Sequence, residues 1–208
     1  KASKPFGRDS QLFDSSFGWR FVNPKMEAQY GAEGMGQTAE NLVNLHGISR
    51  EDQDAFACWS HEKAKASKEW RQEEIVSVAI PRRKQEDLIF DDDEFIRPGT
   101  TREALSKLRP AFRKDGGSVT AGNSSGLNDG ACALLYASEA GMRSHGLQPL
   151  TEVLSTAVVG VDPSIMGIGP VKASMLALAR AGLSMDNMEL IELNEAFAAQ
   201  ALACIRSW

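Results

Sequence analysis

The side chain that stands out for chemistry is Asn194. It interrupts a mostly apolar run over residues 188–193 and precedes an alanine-rich stretch over 195–205. The run reads as a buried strand and the stretch as a helix, so Asn194 falls at the carboxyl end of a strand, where open α/β sheets carry their ligands. Its amide can cap the helix, with Glu195 in the first turn favoured by the dipole. It can equally orient a water or donate to a developing oxyanion. Other reactive groups are sparse. Cys58, Cys132 and Cys204 are odd in number, far apart and without a Cys-x-x-Cys pair, which fits neither a disulfide scaffold nor a zinc site. Cys58 and His61 stand three apart, away from any glycine-rich turn or strand end, and read as helix-packing residues. Asp91-Asp92-Asp93-Glu94 lacks the spacing of a calcium loop and reads as a solvated turn, so no metal is expected.

The elements that must position these residues follow from periodicity and capping. Residues 1–36 are irregular, broken by Gly7, Gly18, Pro24, Gly31, Gly34 and Gly36; Phe6, Phe13, Phe17, Trp19, Phe21 and Tyr30 would pin this stretch onto a neighbouring domain or subunit. A helix from Thr38 stops at His46-Gly47, and Ser49-Arg50-Glu51-Asp52 opens another over 52–72 with Ala55, Phe56 and Trp59 on its apolar face. Residues 75–80 are β-branched and read as a strand. Thr100-Thr101-Arg102-Glu103 caps a short helix to Lys107. Residues 118–120 run as a strand into a Gly/Ser/Asn turn, where missing side chains let a ligand approach the backbone. Residues 131–138 read as a buried strand or helix end, 139–145 as a short helix whose His145 is only a helix-end cation, and 148–161 as a strand. A glycine loop then feeds a helix with Pro170 at its first position, ending at Gly182.

Whole-chain properties set the bounds. At 208 residues, 42% hydrophobic and 25% charged, the composition is that of a soluble globular protein of one or two domains. A net charge of −5 argues against a nucleic-acid partner. No apolar run has the length of a membrane span, and no signal-peptide core follows the N-terminus, which makes the cytoplasm the expected location.

Two long strings carry a family resemblance. Asn194-Glu195-Ala196-Phe197-Ala198-Ala199-Gln200 resembles the asparagine motif of the thiolases, which cleave 3-ketoacyl-CoA thioesters with coenzyme A (CoA) or run the reverse Claisen condensation. Ala121-Gly122-Asn123-Ser124-Ser125-Gly126-Leu127-Asn128-Asp129-Gly130-Ala131 resembles a second motif of that family, in which the residues matching Ala121 and Ser125 border the pantetheine. The resemblance extends along nearly the whole chain. It implies that Arg97 and Phe112 approach the CoA nucleotide and pantetheine, although a surface charge and a core aromatic are their plain alternatives. It implies that Met166 faces the acyl group, that Phe197 lies at the CoA surface, and that Met35 lies near the pantetheine or in the core. Gly34 stands where acetoacetyl-specific members often carry His, and the segment from Phe17 to Pro24 is similar to thiolases acting on 3-oxoadipyl-CoA.

The fold so implied is α/β, a layered α-β-α-β-α thiolase fold. Residues 1–127 would form a loop domain with CoA and oligomer contacts, 128–148 the end of the N-terminal half, and 149–208 the start of the C-terminal half. Dimers or tetramers and acyl-CoA or CoA are the expected partners, with CoA a substrate and no cofactor held covalently. The nucleophilic Cys, its activating His and the second Cys of the family have no matching context here, and Asn194 is the catalytic residue that remains. The chain therefore reads as an internal piece of a thiolase, inactive alone; a non-catalytic acyl-CoA-binding relative and an oligomerising fragment are the other readings.

Overall fold

A computed structural model describes residues 4–10 and 18–208 of the chain. Phe13 and Phe17 lie outside the described residues. The first helix, α1 (Pro24–Tyr30), falls inside the segment expected to be irregular; the Asn23 side chain accepts from the Lys25 N–H and Pro24 opens the helix. The aromatic residues around it are exposed: Phe6, Trp19, Phe21 and Tyr30 all face outward.

The organising core is helical. Helices α2 (Met35–His46) and α3 (Arg50–Ala66) are joined at Gly47, which takes the left-handed conformation that ends α2, while the Ser49 hydroxyl caps α3 through the Asp52 N–H. The buried face of α3 is Gln53, Asp54, Phe56, Ala57 and Cys58, not the expected Ala55-Phe56-Trp59 stripe. Trp59 is half exposed, edge-on to Phe56 and covered by the Lys63 ammonium. The helix also breaks at Ser67, and α4 (Lys68–Gln72) continues separately; the Arg71 guanidinium reaches back to the Ala64 carbonyl and the Ser67 hydroxyl across the break.

The strand expected over 75–80 shrinks to β1 (Val78–Ile80), paired antiparallel with β2 (Leu88–Phe90) in a two-stranded sheet. Beyond it, the Asp91–Glu94 segment is a solvated turn, with Lys68 on Asp92 and the Phe95 N–H on Asp93. Helix α5 (Arg102–Ser106) is capped by Thr101, whose hydroxyl accepts from the Ala104 N–H. Helix α6 (Glu139–His145) ends at a left-handed Gly146. A 3₁₀ turn (Pro163–Ile168) runs straight into α7 (Gly169–Ala181), and a second short turn (Met185–Asn187) precedes the last helix, α8 (Ala198–Ser207).

Alpha8 is the centre of the packing. Its Ala198, Ala199, Ala201 and Ala203 are buried, and small side chains let α2 and α3 close on it from two sides. Leu42 and Ile48 meet Ala203, while Phe56 meets Ala198 and Ala201. The turn Pro163–Ile168 covers the end of this layer through Ile165 and Ile168.

Two expected strands, and a stretch expected as a strand or helix end, carry no ladder among the described residues. Residues 131–138, 148–161 and 188–193 are extended or irregular and unpaired, with Leu134, Leu135, Tyr136, Leu150, Val153, Leu154, Val158, Leu190 and Ile191 exposed. Their apolar character is that of strands buried on both faces, but a strand exists only where a neighbour takes its N–H and C=O groups, and no described segment pairs with them as a strand.

Candidate functional site

Asn194 itself is exposed and does not cap the last helix. Helix α8 starts four residues later, with extended Phe197 at its N-cap, so Glu195 lies outside the first turn. This corrects the expected helix over 195–205. Residues 194–197 stay outside the helix because they have another partner: Ser124 and Phe197 form an antiparallel bridge. The Ser125 N–H donates to the Ala196 carbonyl (3.0 Å) and the Ala198 N–H to the Asn123 carbonyl (2.9 Å). The two strings singled out in the sequence are thus one local structure.

Phe112 joins them. Its ring stands edge-on to Phe197, centroids 5.9 Å apart at 83°, which suits the aromatic quadrupoles. Phe112 also lies against Gly36, where a Cβ would come within 2.2 Å of the ring. Only glycine leaves room at that point in the first turn of α2, beside Met35, whose side chain is more than half exposed. Met35, Phe112, Phe197 and the Ala121–Ser125 turn are therefore brought to one region, with Ala121, Phe112 and Ser125 exposed. The glycine gaps of the turn are not open to a ligand, however. The space beside Gly122 is filled by Leu105 and Leu108, and that beside Gly126 by Phe95.

Behind the turn lies a buried polar network. Glu40, fully buried on α2, accepts from the Ser118 and Val119 N–H groups, each at 2.9 Å. Gln53 donates to the Ser118 hydroxyl (2.9 Å). Asn123 accepts the Thr120 N–H (2.7 Å) and donates to Asp54 (3.0 Å). These bonds replace the strand ladder expected over 118–120, so the turn is held by side chains from two helices. Sequence reading missed Glu40, Gln53 and Asp54, because a polar or charged residue on a helix reads as solvated unless its depth is known.

On the α3 side of the turn a cleft of about 220 Å³ is lined by Ser60, His61, Asp93, Phe95, Gly122, Ser125 and Glu195 among others. His61 is therefore beside the glycine-rich turn after all, with its Nδ1 accepting the Arg97 N–H at 3.3 Å. Glu195 accepts from the Ser60 hydroxyl (2.5 Å) and the Lys63 ammonium (3.5 Å). Arg97 is exposed, its guanidinium 5.9 Å from the Phe95 ring.

Met166, half exposed, sits on the turn Pro163–Ile168. Asn41 donates to the Ser164 carbonyl (3.0 Å) and Gln200 to the Gly167 carbonyl (3.2 Å), fixing that turn to α2 and α8. Asp162 caps it, and the Ser164 hydroxyl and N–H hold the Asp162 carboxyl below its ordinary range. Of the cysteines, Cys58 donates to the Thr100 carbonyl (3.2 Å) and Cys204 to the Gly167 carbonyl (3.3 Å). Burial pushes the Cys204 thiol up, which keeps it protonated and a poor nucleophile. Cys132 is exposed. Among the described residues no three His, Cys, Asp or Glu side chains could hold a metal ion, and no helix is long and apolar enough to cross a membrane.

Comparison with known proteins bears on this arrangement. The thiolase N-terminal domain matches residues 14–140 and the thiolase C-terminal domain matches residues 147–208. The chain belongs to the thiolase family. It is 47% identical over 208 residues to the beta-ketoadipyl-CoA thiolase of Acinetobacter baylyi, an alignment covering 99% of this chain and 52% of that protein. It is 49% identical to the 3-oxoadipyl-CoA/3-oxo-5,6-dehydrosuberyl-CoA thiolase of Escherichia coli K12, with the same coverage. The acetyl-CoA acetyltransferase of Pseudomonas aeruginosa is 57% identical over 171 residues, 81% of this chain and 43% of that protein. The solved structure of the Bacillus anthracis acetyl-CoA acetyltransferase superposes with a TM-score of 0.82 at 40% identity, over 97% of this chain and 50% of that one. The fold is thus the thiolase fold, and this thiolase chain spans about half the length of the curated relatives it matches.

Proposed function

We propose that the full-length thiolase carrying this chain cleaves a 3-ketoacyl-CoA with free CoA, or runs the reverse condensation, and that this chain supplies much of its CoA surface. The observation that carries the reading is the junction of Ser125 with Ala196, beside the Phe112–Phe197 pair. It groups an exposed hydroxyl, two half-open rings and a thioether where an apolar pantetheine arm with a few polar atoms would bind. Ala121, Ser125, Phe112, Phe197 and Met35 contact that arm, Arg97 the nucleotide phosphates, and Met166 the acyl group. CoA is a substrate here, and no cofactor is held covalently.

Asn194, exposed ahead of α8, holds the water of one oxyanion hole. The reaction then needs a cysteine thiolate to attack the 3-keto carbon, cleavage of the bond to C2 with a proton delivered to the departing enolate, and transfer of the acyl group to the CoA thiol. Those cysteine and histidine groups come from parts of the protein other than residues 1–208. Residues 1–127 act as a loop domain, 128–148 close the N-terminal half and 149–208 open the C-terminal half. The protein works as a cytoplasmic dimer or tetramer, and its exposed apolar strand segments find their neighbours in the remainder of the protein.

The substrate is a 3-oxoadipyl-type CoA thioester. Gly34 in place of a polar residue beside Met35 favours this, as do the names of the relatives aligned over 99% of this chain. The test is thiolysis by the full-length protein of 3-oxoadipyl-CoA against acetoacetyl-CoA. A higher kcat/KM for the dicarboxylic substrate is expected. Preference for acetoacetyl-CoA would overturn the substrate, and thiolysis of neither would overturn the function.

A further inference from the structure

We propose that Arg50 and Asp54 are positioning residues for the CoA surface, an inference that rests on the thiolase reading above. On α3, Arg50 Nε donates to Asp54 Oδ2 at 2.8 Å. The same guanidinium donates through Nη2 to the carbonyls of Leu105 (2.6 Å) and Leu108 (3.1 Å). The second oxygen of Asp54 accepts from Asn123 Nδ2 at 3.0 Å. Asn123 accepts the Ala198 N–H on its main-chain oxygen at 2.9 Å.

One ion pair therefore ties together three segments. The first ends α5 and leads to Phe112; the second is the turn carrying Ala121 and Ser125; the third runs from Asn194 through Phe197 into α8. Ordinary helix pairs at this spacing are exposed and couple only to each other. Here Asp54 and Asn123 are both 3% exposed, and each partner of the pair reaches off α3. A planar guanidinium can meet a carboxylate and two carbonyls at once, a geometry that an ammonium does not reproduce. Because the rings and the hydroxyl must stand at fixed separations to grip pantetheine, loosening this tie weakens CoA binding before it slows bond making.

The test uses the full-length protein, with thiolysis measured at varied CoA for the wild type, Asp54→Asn and Arg50→Lys. Both variants are expected to raise KM for CoA about tenfold, the loss of one buried charge-assisted contact, while kcat stays within about threefold. Should Asp54→Asn fail to fold, Arg50→Lys carries the test, since it keeps a cation beside Asp54. A wild type that turns over while the folded variants keep its KM for CoA, or lose only kcat in step with folded fraction, overturns the positioning role and leaves the thiolase reading intact. A wild type without thiolysis overturns both.

Discussion

The Ser125 N–H donates to the Ala196 carbonyl at 3.0 Å, across 71 residues of chain. With the Ala198 N–H on the Asn123 carbonyl, it makes the last helix begin late, at Ala198, and leaves residues 194–197 outside it. The pairing is local and short, yet it sets where Asn194 and Phe197 stand relative to the turn that carries Ala121 and Ser125. Substitutions that disturb its supports are therefore expected to register in CoA binding.

Gly36→Ala tests the seat of Phe112. The new Cβ would lie 2.2 Å from the ring, so Phe112 must leave its edge-on position against Phe197. Overpacking of this kind costs about 1–3 kcal/mol. In the full-length protein the expected outcome is a lower urea midpoint together with a raised KM for CoA; a lower midpoint with unchanged KM would detach the ring from the site.

Gly167→Ala tests the turn that bears Met166. Its Cβ would meet Gln200 Cγ at 2.6 Å and Leu42 Cδ1 at 3.0 Å. Leu42 is fully buried and Gln200 nearly so, which leaves little room to yield, and a loss of about 1–3 kcal/mol is expected. Because Gln200 also donates to the Gly167 carbonyl, the ratio of kcat/KM between long and short 3-ketoacyl-CoA substrates should shift as well. An unchanged ratio would mean that Met166 does not report on the acyl chain.

Asp162 gives a pH dependence with a definite sign. Its folded carboxyl is held down by the Ser164 hydroxyl and N–H, so the stability it adds is present above the unfolded carboxyl pKa and lost as pH falls through the lower folded value. Asp162→Ala should therefore lower the urea midpoint at neutral pH, with the gap from wild type closing as the pH is taken to about 3. A gap that stays constant with pH would assign the effect to the cap alone.

Parts of this were legible in the sequence and parts were not, for physical reasons. Helix ends marked by Gly47, Gly146 and Gly182 and by Ser49 or Thr101 were readable because caps are local chemistry. The start of α8 was misread because Asn194 and Glu195 look like a cap and first turn, and nothing local reveals that Ser124 competes for the backbone beside them. The apolar runs over 148–161 and 188–193 have strand composition, but a ladder depends on neighbours that periodicity does not supply. Ser125, Phe112 and Phe197 were singled out through motif resemblance, and the structure brings them to one region. Glu40, Arg50 and Asp54 were not, since their contacts are set by what lies opposite them across long stretches of chain. His61 was set aside on sequence distance, and the fold returned it to the edge of the glycine-rich turn.

The most direct measurement is thiolysis of a 3-ketoacyl-CoA by the full-length protein and by its Asn194→Ala variant, each with CoA saturating. Loss of an oxyanion donor costs about 10²–10³ in kcat while leaving substrate binding largely intact, and that pattern is expected here. A variant that turns over at the wild-type rate would contradict the assignment of Asn194 to the oxyanion hole.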